Sequence, residues 1–151
     1  MKDIEDRFFS TPFAFLLAIE NHSVIGTLLL FKRKIDYKGE RIILGGIGNL
    51  CTKKEKRRMG VATALLKKAM EELNTQKCDV AYLCTNIHNP SMVKLYARVG
   101  FGPLNKPYTY LGRSGKRYTE TDGIIAPLQS NEKFGLIMNG KDILDLDTGN
   151  W

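Results

Sequence analysis

The chain has 151 residues, 43% of them hydrophobic, and a formal net charge of +7 at pH 7. That length lies near the commonest domain size and can bury one core without disulfides or a metal, so a single domain over residues 1–151 is expected. No apolar run approaches the ~20 residues of a membrane span, and Met1, Lys2, Asp3, Ile4, Glu5 and Asp6 carry no signal-peptide pattern, which together predict a cytoplasmic protein with no membrane partner.

Residues 13–20 and 24–33 read as strands joined by a turn at Asn21 and His22. Tyr37, Lys38, Gly39 and Glu40 make a second turn into a strand over residues 41–52, completing a three-stranded antiparallel meander. Within that third strand Ile42, Leu44, Ile47 and Leu50 are the apolar positions, while Gly45, Gly46 and Gly48 weaken pairing and imply bends or close contact. Cys51, Cys78 and Cys84 have no metal spacing and an odd count for a disulfide framework, so no metal is expected. Cys51 and Cys84 are read as core residues of strands.

A basic run of Lys53, Lys54, Lys56, Arg57 and Arg58 then leads to Gly60, after which Ala62, Leu65, Leu66, Ala69, Met70 and Leu73 recur at helical spacing. This is a loop entering an amphipathic helix. Backbone N–H groups at a helix start lack partners and the macrodipole is positive there, so an anion such as a diphosphate fits beside the glycine. Nucleic acid is the weaker explanation of the charge, because no aromatic stacking platform accompanies it. Residues 74–79 link this helix to a nearly continuous apolar run over residues 80–85, the pattern of a strand covered on both faces. Asn89 as N-cap, Pro90 at the first helical position and Gly100 as terminator bracket a second helix. Met92, Leu95, Tyr96 and Val99 follow its apolar stripe, which puts Tyr96 on or beside the buried face. Beyond Phe101, Pro103 and Pro107 mark a loop, and residues 108–111 and 133–138 are expected as closing strands.

Arg57-x-x-Gly60-x-Ala62 resembles the phosphate-binding signature Gln/Arg-x-x-Gly-x-Gly/Ala of the GNAT superfamily, the acyl-coenzyme A dependent N-acetyltransferases. Asn89, Leu95, Tyr96, Gly100 and Phe101 resemble its second signature, Asn-x-x-Ala-x-x-Leu-Tyr-x-x-x-Gly-Phe, with Met92 where a small residue is usual. In this order, with a helix and a strand between them, the two motifs are specific. The resemblance covers about residues 13–111 and leaves 112–151 as a divergent C-terminal part. It implies an α/β (α+β) fold: a mixed, mostly antiparallel twisted sheet with helices packed on both faces. It further implies acetyl-CoA as acyl donor, a primary amine on a small molecule or peptide as acceptor, and direct attack in a ternary complex. Carried over by position, the Arg58, Met59, Gly60, Val61, Ala62 and Thr63 amides would bind the coenzyme A diphosphate, with Arg57 or Arg58 adding side-chain charge. The main chain of Leu50, Cys51 and Thr52 would pair with pantetheine, Asn89 would touch the same arm, and Tyr96 would protonate the departing thiolate.

The chain departs from the family pattern in two places. Residues 42–52 hold no carboxylate or histidine to deprotonate the amine, so His88 is the candidate base, with Asp142, Asp145, Asp147 and the terminal carboxylate of Trp151 behind it. Only about a dozen residues precede the first strand, where relatives open with a further strand and helix. Both departures keep a non-catalytic acyl-CoA sensor or interaction module as the alternative. The tail leaves Trp151 either as a free end or folded back over the acceptor pocket, and exposed strand edges are compatible with a homodimer.

Overall fold

Two pairs of consecutive residues with positive φ shape the N-terminal half. Asn21 (φ 47°) and His22 (φ 61°) join β1 (Ala14–Glu20) to β2 (Ser23–Tyr37), and Lys38 (φ 50°) with Gly39 (φ 80°) joins β2 to β3 (Glu40–Thr52). Tight two-residue turns of this hand match the twist of antiparallel strands, and β1, β2 and β3 form the expected meander. The computed structural model describes residues 2–151 and opens with a short helix, α1 (Lys2–Arg7).

After β3 the chain makes a 3₁₀ turn at Lys54–Lys56, runs through α2 (Val61–Thr75), and returns in β4 (Val80–Cys84), parallel to β3. Then follow α3 (Pro90–Ala97), β5 (Gly102–Pro103), the hairpin of β6 (Tyr108–Leu111) and β7 (Arg117–Glu120), β8 (Gly123–Pro127), α4 (Asn131–Asn139) and β9 (Leu144–Thr148). The main sheet has the order β1-β2-β3-β4-β8-β5, with β3–β4 its one parallel pairing among the described residues. The sequence suggests a hairpin near Tyr108 to Tyr118, which is β6–β7; β9 joins it to form a second sheet, β7-β6-β9, that no local pattern predicts.

Alternation along the strands separates two cores, since successive side chains point to opposite faces. On β2 and β4, Leu28, Leu30, Ala81 and Leu83 pack with Leu65, Leu66, Ala69 and Leu73 of α2 and with Tyr96 of α3. Phe31, Val80 and Tyr82 face the other way, toward Tyr108 and Tyr110 of β6, Leu144 and Leu146 of β9, Ile137 of α4, and Trp151. Helices thus lie on both faces, as expected. No helix among the described residues is long and apolar enough to cross a membrane.

One expected strand is a helix instead. Residues 133–138 lie within α4, because the Ser130 side-chain oxygen accepts a hydrogen bond from Lys133 N (3.1 Å) and caps it. Phe134, Ile137 and Met138 then share one helical face toward the core. The closing strand is β9, parallel to β6. Asp79 ties α4 to the sheet, its carboxylate accepting from Ile43 N (2.7 Å) and from Lys133 Nζ (2.9 Å).

Leu73 is fully buried under β3, where its side chain fills the space beside Gly45. Leu73→Ala is expected to lower the unfolding free energy by about 2–5 kcal/mol in urea denaturation, the usual cost of truncating a buried leucine.

Candidate active site

The site begins where two strands part. Parallel pairing of β3 with β4 runs through Leu44–Val80, Gly45–Ala81 and Gly46–Tyr82 and then stops. Just beyond, β3 carries a bulge. Thr27 pairs with Cys51 and Leu29 with Gly48, so Asn49 and Leu50 together oppose Leu28, and Asn49 takes the left-handed conformation (φ 50°). A bulge adds twist and bends its strand. The far end of β3 therefore keeps β2 on one edge and has no strand on the other. Asparagine tolerates this conformation better than most residues, and Gly48-Asn49 within a strand was the sequence signal available for it.

The loop after β3 forms a cradle. Arg58 (φ 60°) and Gly60 (φ 83°) turn the chain into α2, whose first backbone bond runs from Ala64 N to Gly60 O (3.0 Å). The amides of Val61, Ala62 and Thr63 precede that bond and remain available to an anion. They line a cavity of about 720 Å³ with the Leu50, Cys51 and Thr52 edge of β3. Arg57, Arg58 and Lys56 stand on one side, and Ser91, Met92, Leu95 and Arg98 on the other. Arg57 Nε also donates to Thr52 O (3.4 Å), and Lys56 pairs with Glu20. Free amides, arginines and an unpaired strand edge fit the diphosphate and amide-bearing arm of coenzyme A.

Nine of the residues assigned to the cofactor by sequence line this cavity: Leu50, Cys51, Thr52, Arg57, Arg58, Gly60, Val61, Ala62 and Thr63. Met59 and Asn89 do not. The Met59 side chain is exposed, and Asn89 caps α3 by accepting from Ser91 N (3.1 Å). Cys51 is exposed in the cleft and not a core residue, because the bulge two residues earlier resets which side of β3 faces inward.

A second cavity of about 170 Å³ meets the first at Leu50. Tyr96, Cys84, Leu83, Ile47, Gly48, Asn49, Phe8 and Trp151 complete its lining. Tyr96 is 6% exposed and packs edge-on against Phe101, ring centroids 6.1 Å apart. Burial raises its phenol above the ordinary value of 10.0, against the opposing hydrogen bond with the Thr85 side chain, so the group is a proton donor at neutral pH. Burial likewise pushes the Cys84 thiol up to about 11. It is a protonated thiol, not a nucleophilic thiolate.

His88 lies exposed in the loop after β4, its backbone N–H donating to Asn86 Oδ1 (3.0 Å), and lines neither cavity. Asp142, Asp145 and Asp147 are exposed outside both, with Asp145 paired to Arg117 at 3.2 Å. Among the described residues, no carboxylate or imidazole side chain lines either cavity. Sequence reasoning missed the remaining wall of the small cavity, Phe8, Ile47, Gly48, Asn49 and Leu83, because it is assembled from the segment after α1 and two diverging strands.

Gly60→Glu would put bulk and negative charge at the helix start, where nothing lies within 4 Å of an added Cβ but a φ of 83° strains any side chain and lowers stability. Its expected outcome is a loss of coenzyme A affinity of at least about tenfold by calorimetry, with a cooperative unfolding transition retained.

A profile of the acetyltransferase (GNAT) domain matches residues 6–104. N-alpha-acetyltransferase 30 of Xenopus laevis is 33% identical over 85 residues, which make up 56% of this chain and 30% of the relative. The chain thus covers less than a third of that relative's length. Among solved structures, Naa20 of Chaetomium thermophilum in complex with a bisubstrate analogue superposes with a TM-score of 0.63 at 15% identity, over 88% of this chain and 75% of that one. A chain of the NatC complex bound to Gag peptide and CoA gives a TM-score of 0.57 at 21% identity, over 84% and 87%.

Proposed function

The chain belongs to the GNAT family of acetyltransferases, and on that premise we propose that it transfers an acetyl group from acetyl-CoA to the α-amine of a peptide. The observation that carries this reading is the meeting, at Leu50, of the basic cradle and the Tyr96 cavity across the parted strands. One end suits a diphosphate and the other an uncharged nucleophile. The names of the relatives support the peptide acceptor: an N-alpha-acetyltransferase by sequence and a peptide-bound complex by fold.

Acetyl-CoA supplies an activated thioester. The Val61, Ala62 and Thr63 amides with Arg57 and Arg58 hold its diphosphate, and the free edge of Leu50, Cys51 and Thr52 aligns its arm. Backbone N–H groups at that edge also suit the oxygen that gains charge as the amine attacks. The amine nitrogen bonds to the carbonyl carbon, the C–S bond breaks, and Tyr96 gives its proton to the leaving sulfur. No covalent enzyme intermediate is needed.

The cavity lining favours an α-amine on physical grounds. With no side-chain base among the described residues lining it, the cavity suits an acceptor that arrives neutral and loses its second proton to water; the Trp151 main-chain oxygen, the remaining candidate, accepts from Cys84 Sγ (3.4 Å). An α-amine, with a pKa of about 8, is about half neutral at pH 8, whereas a lysine amine near 10.4 is about 125-fold less so.

Two measurements test this reading. Tyr96→Phe should lower kcat by about 10²–10⁴-fold with little change in coenzyme affinity; unchanged turnover removes the phenol from the mechanism. The kcat/KM of the intact enzyme should rise with pH to a plateau at the acceptor's own amine pKa of about 8 and fall again only where Tyr96, raised above 10.0, ionises. An acidic limb that is the same for every acceptor and disappears in His88→Ala would assign the base to His88 instead.

A further inference from the structure

We propose that the Trp151 indole is a wedge at the point where β3 and β4 part and that it determines which acceptors fit, admitting a first residue with a small side chain and excluding a large one. This rests on the transferase reading above. The indole occupies space that only glycine leaves: a Cβ on Gly46, the last residue of β3 paired with β4, would overlap its ring. Gly48, two residues on and on the same face of the strand, has Phe31 Cε2 3.0 Å from where its own Cβ would stand, with the Trp151 Cβ at 3.6 Å. The indole thus accounts for Gly46, and the Phe31 ring stacked on it accounts for Gly48.

The ring is held by Phe31, Tyr82 and Arg33. Its Nε1–H donates to Tyr82 O (3.3 Å), so it bridges the two strands at their fork. Phe31 stacks on it with centroids 5.3 Å apart and planes 8° from parallel, and Tyr82 meets it edge-on at 5.9 Å. The Arg33 guanidinium lies 4.4 Å from the ring centroid on a desolvated site, where a cation–π contact is strongest. Arg33 is itself anchored, donating to Gly149 O (2.8 Å), to Leu146 O and to Ser10 Oγ (2.9 Å), and burial draws it down only to about 10, so it stays charged at neutral pH. Trp151 N donates to the Oδ1 of Asn150 (3.0 Å), a side chain buried with the Tyr82 and Tyr108 hydroxyls.

Trp151 lines the small cavity together with Tyr96, and a side chain held this firmly resists moving aside for a bulky acceptor. The cavity holds about 170 Å³, against about 720 Å³ on the donor side. Specificity then follows from volume: a rigid wall discriminates by the methylene groups it excludes, each worth about tenfold or more in kcat/KM.

The test compares peptides that differ only in an N-terminal Ala or Leu, using the full chain as wild type, Trp151→Phe and Trp151→Ala, with acetyl-CoA affinity measured for each. Wild type should favour Ala by at least about tenfold. That ratio should fall at least tenfold in Trp151→Ala and by less in Trp151→Phe, with acetyl-CoA affinity within about twofold. If Trp151→Ala does not fold, the Phe variant carries the test. Both rates dropping in parallel at a constant ratio, or a wild type that prefers Leu, overturns the proposal and leaves Trp151 as packing. A wild type that acetylates no peptide but does acetylate simple primary amines overturns the peptide reading alone, and the ratio between a short and a bulky amine then decides the role of Trp151. Failure to acetylate either class overturns both.

Discussion

Everything that makes this fold chemically useful depends on the separation of β3 from β4 after Gly46 and Tyr82. A sheet with every edge paired offers no backbone to a ligand. Here the bulge at Asn49 and Leu50 turns β3 away, and the indole of Trp151 fills the fork. The cleft opens on two sides. Toward α2 and α3 it is wide and basic, and toward the second sheet it is small and lined by Tyr96, Cys84 and Trp151.

Charge divides the same way. The net charge of +7 owes much to the run from Lys53 to Arg58, and the cleft draws on that run through Lys56, Arg57 and Arg58. Backbone amides at the start of α2 add directed dipoles to those mobile charges. The small cavity holds no charged side chain. A phenol is suited to such a place, since burial costs little in its neutral form and keeps its proton in reserve for a leaving group of similar basicity.

Much of this arrangement is visible in the sequence because the deciding interactions are local. Asn21-His22 and Lys38-Gly39 carry the conformational preference of their turns, Asn89 and Pro90 start α3, and Gly60 sits where the chain must turn left-handed before α2. The misreadings have equally specific causes. Residues 133–138 form a short apolar run that suits a strand or a helix, and only the Ser130 cap decides. Cys51 looks inward by alternation until a bulge shifts the count. The second sheet joins Tyr108 to Leu144 across a long stretch of chain, and no local pattern announces such a pairing. Trp151 is understood only together with Gly46, more than a hundred residues earlier in the chain.

Amide hydrogen exchange with and without saturating acetyl-CoA tests the parted strands as the donor site most directly, because exchange reads each backbone N–H by itself. Slower exchange at Leu50, Cys51 and Thr52 and at Val61, Ala62 and Thr63, with the Glu132 to Asn139 stretch of α4 unchanged, is the predicted result. Protection concentrated around α4, with the β3 edge and the start of α2 unaffected, would contradict the account.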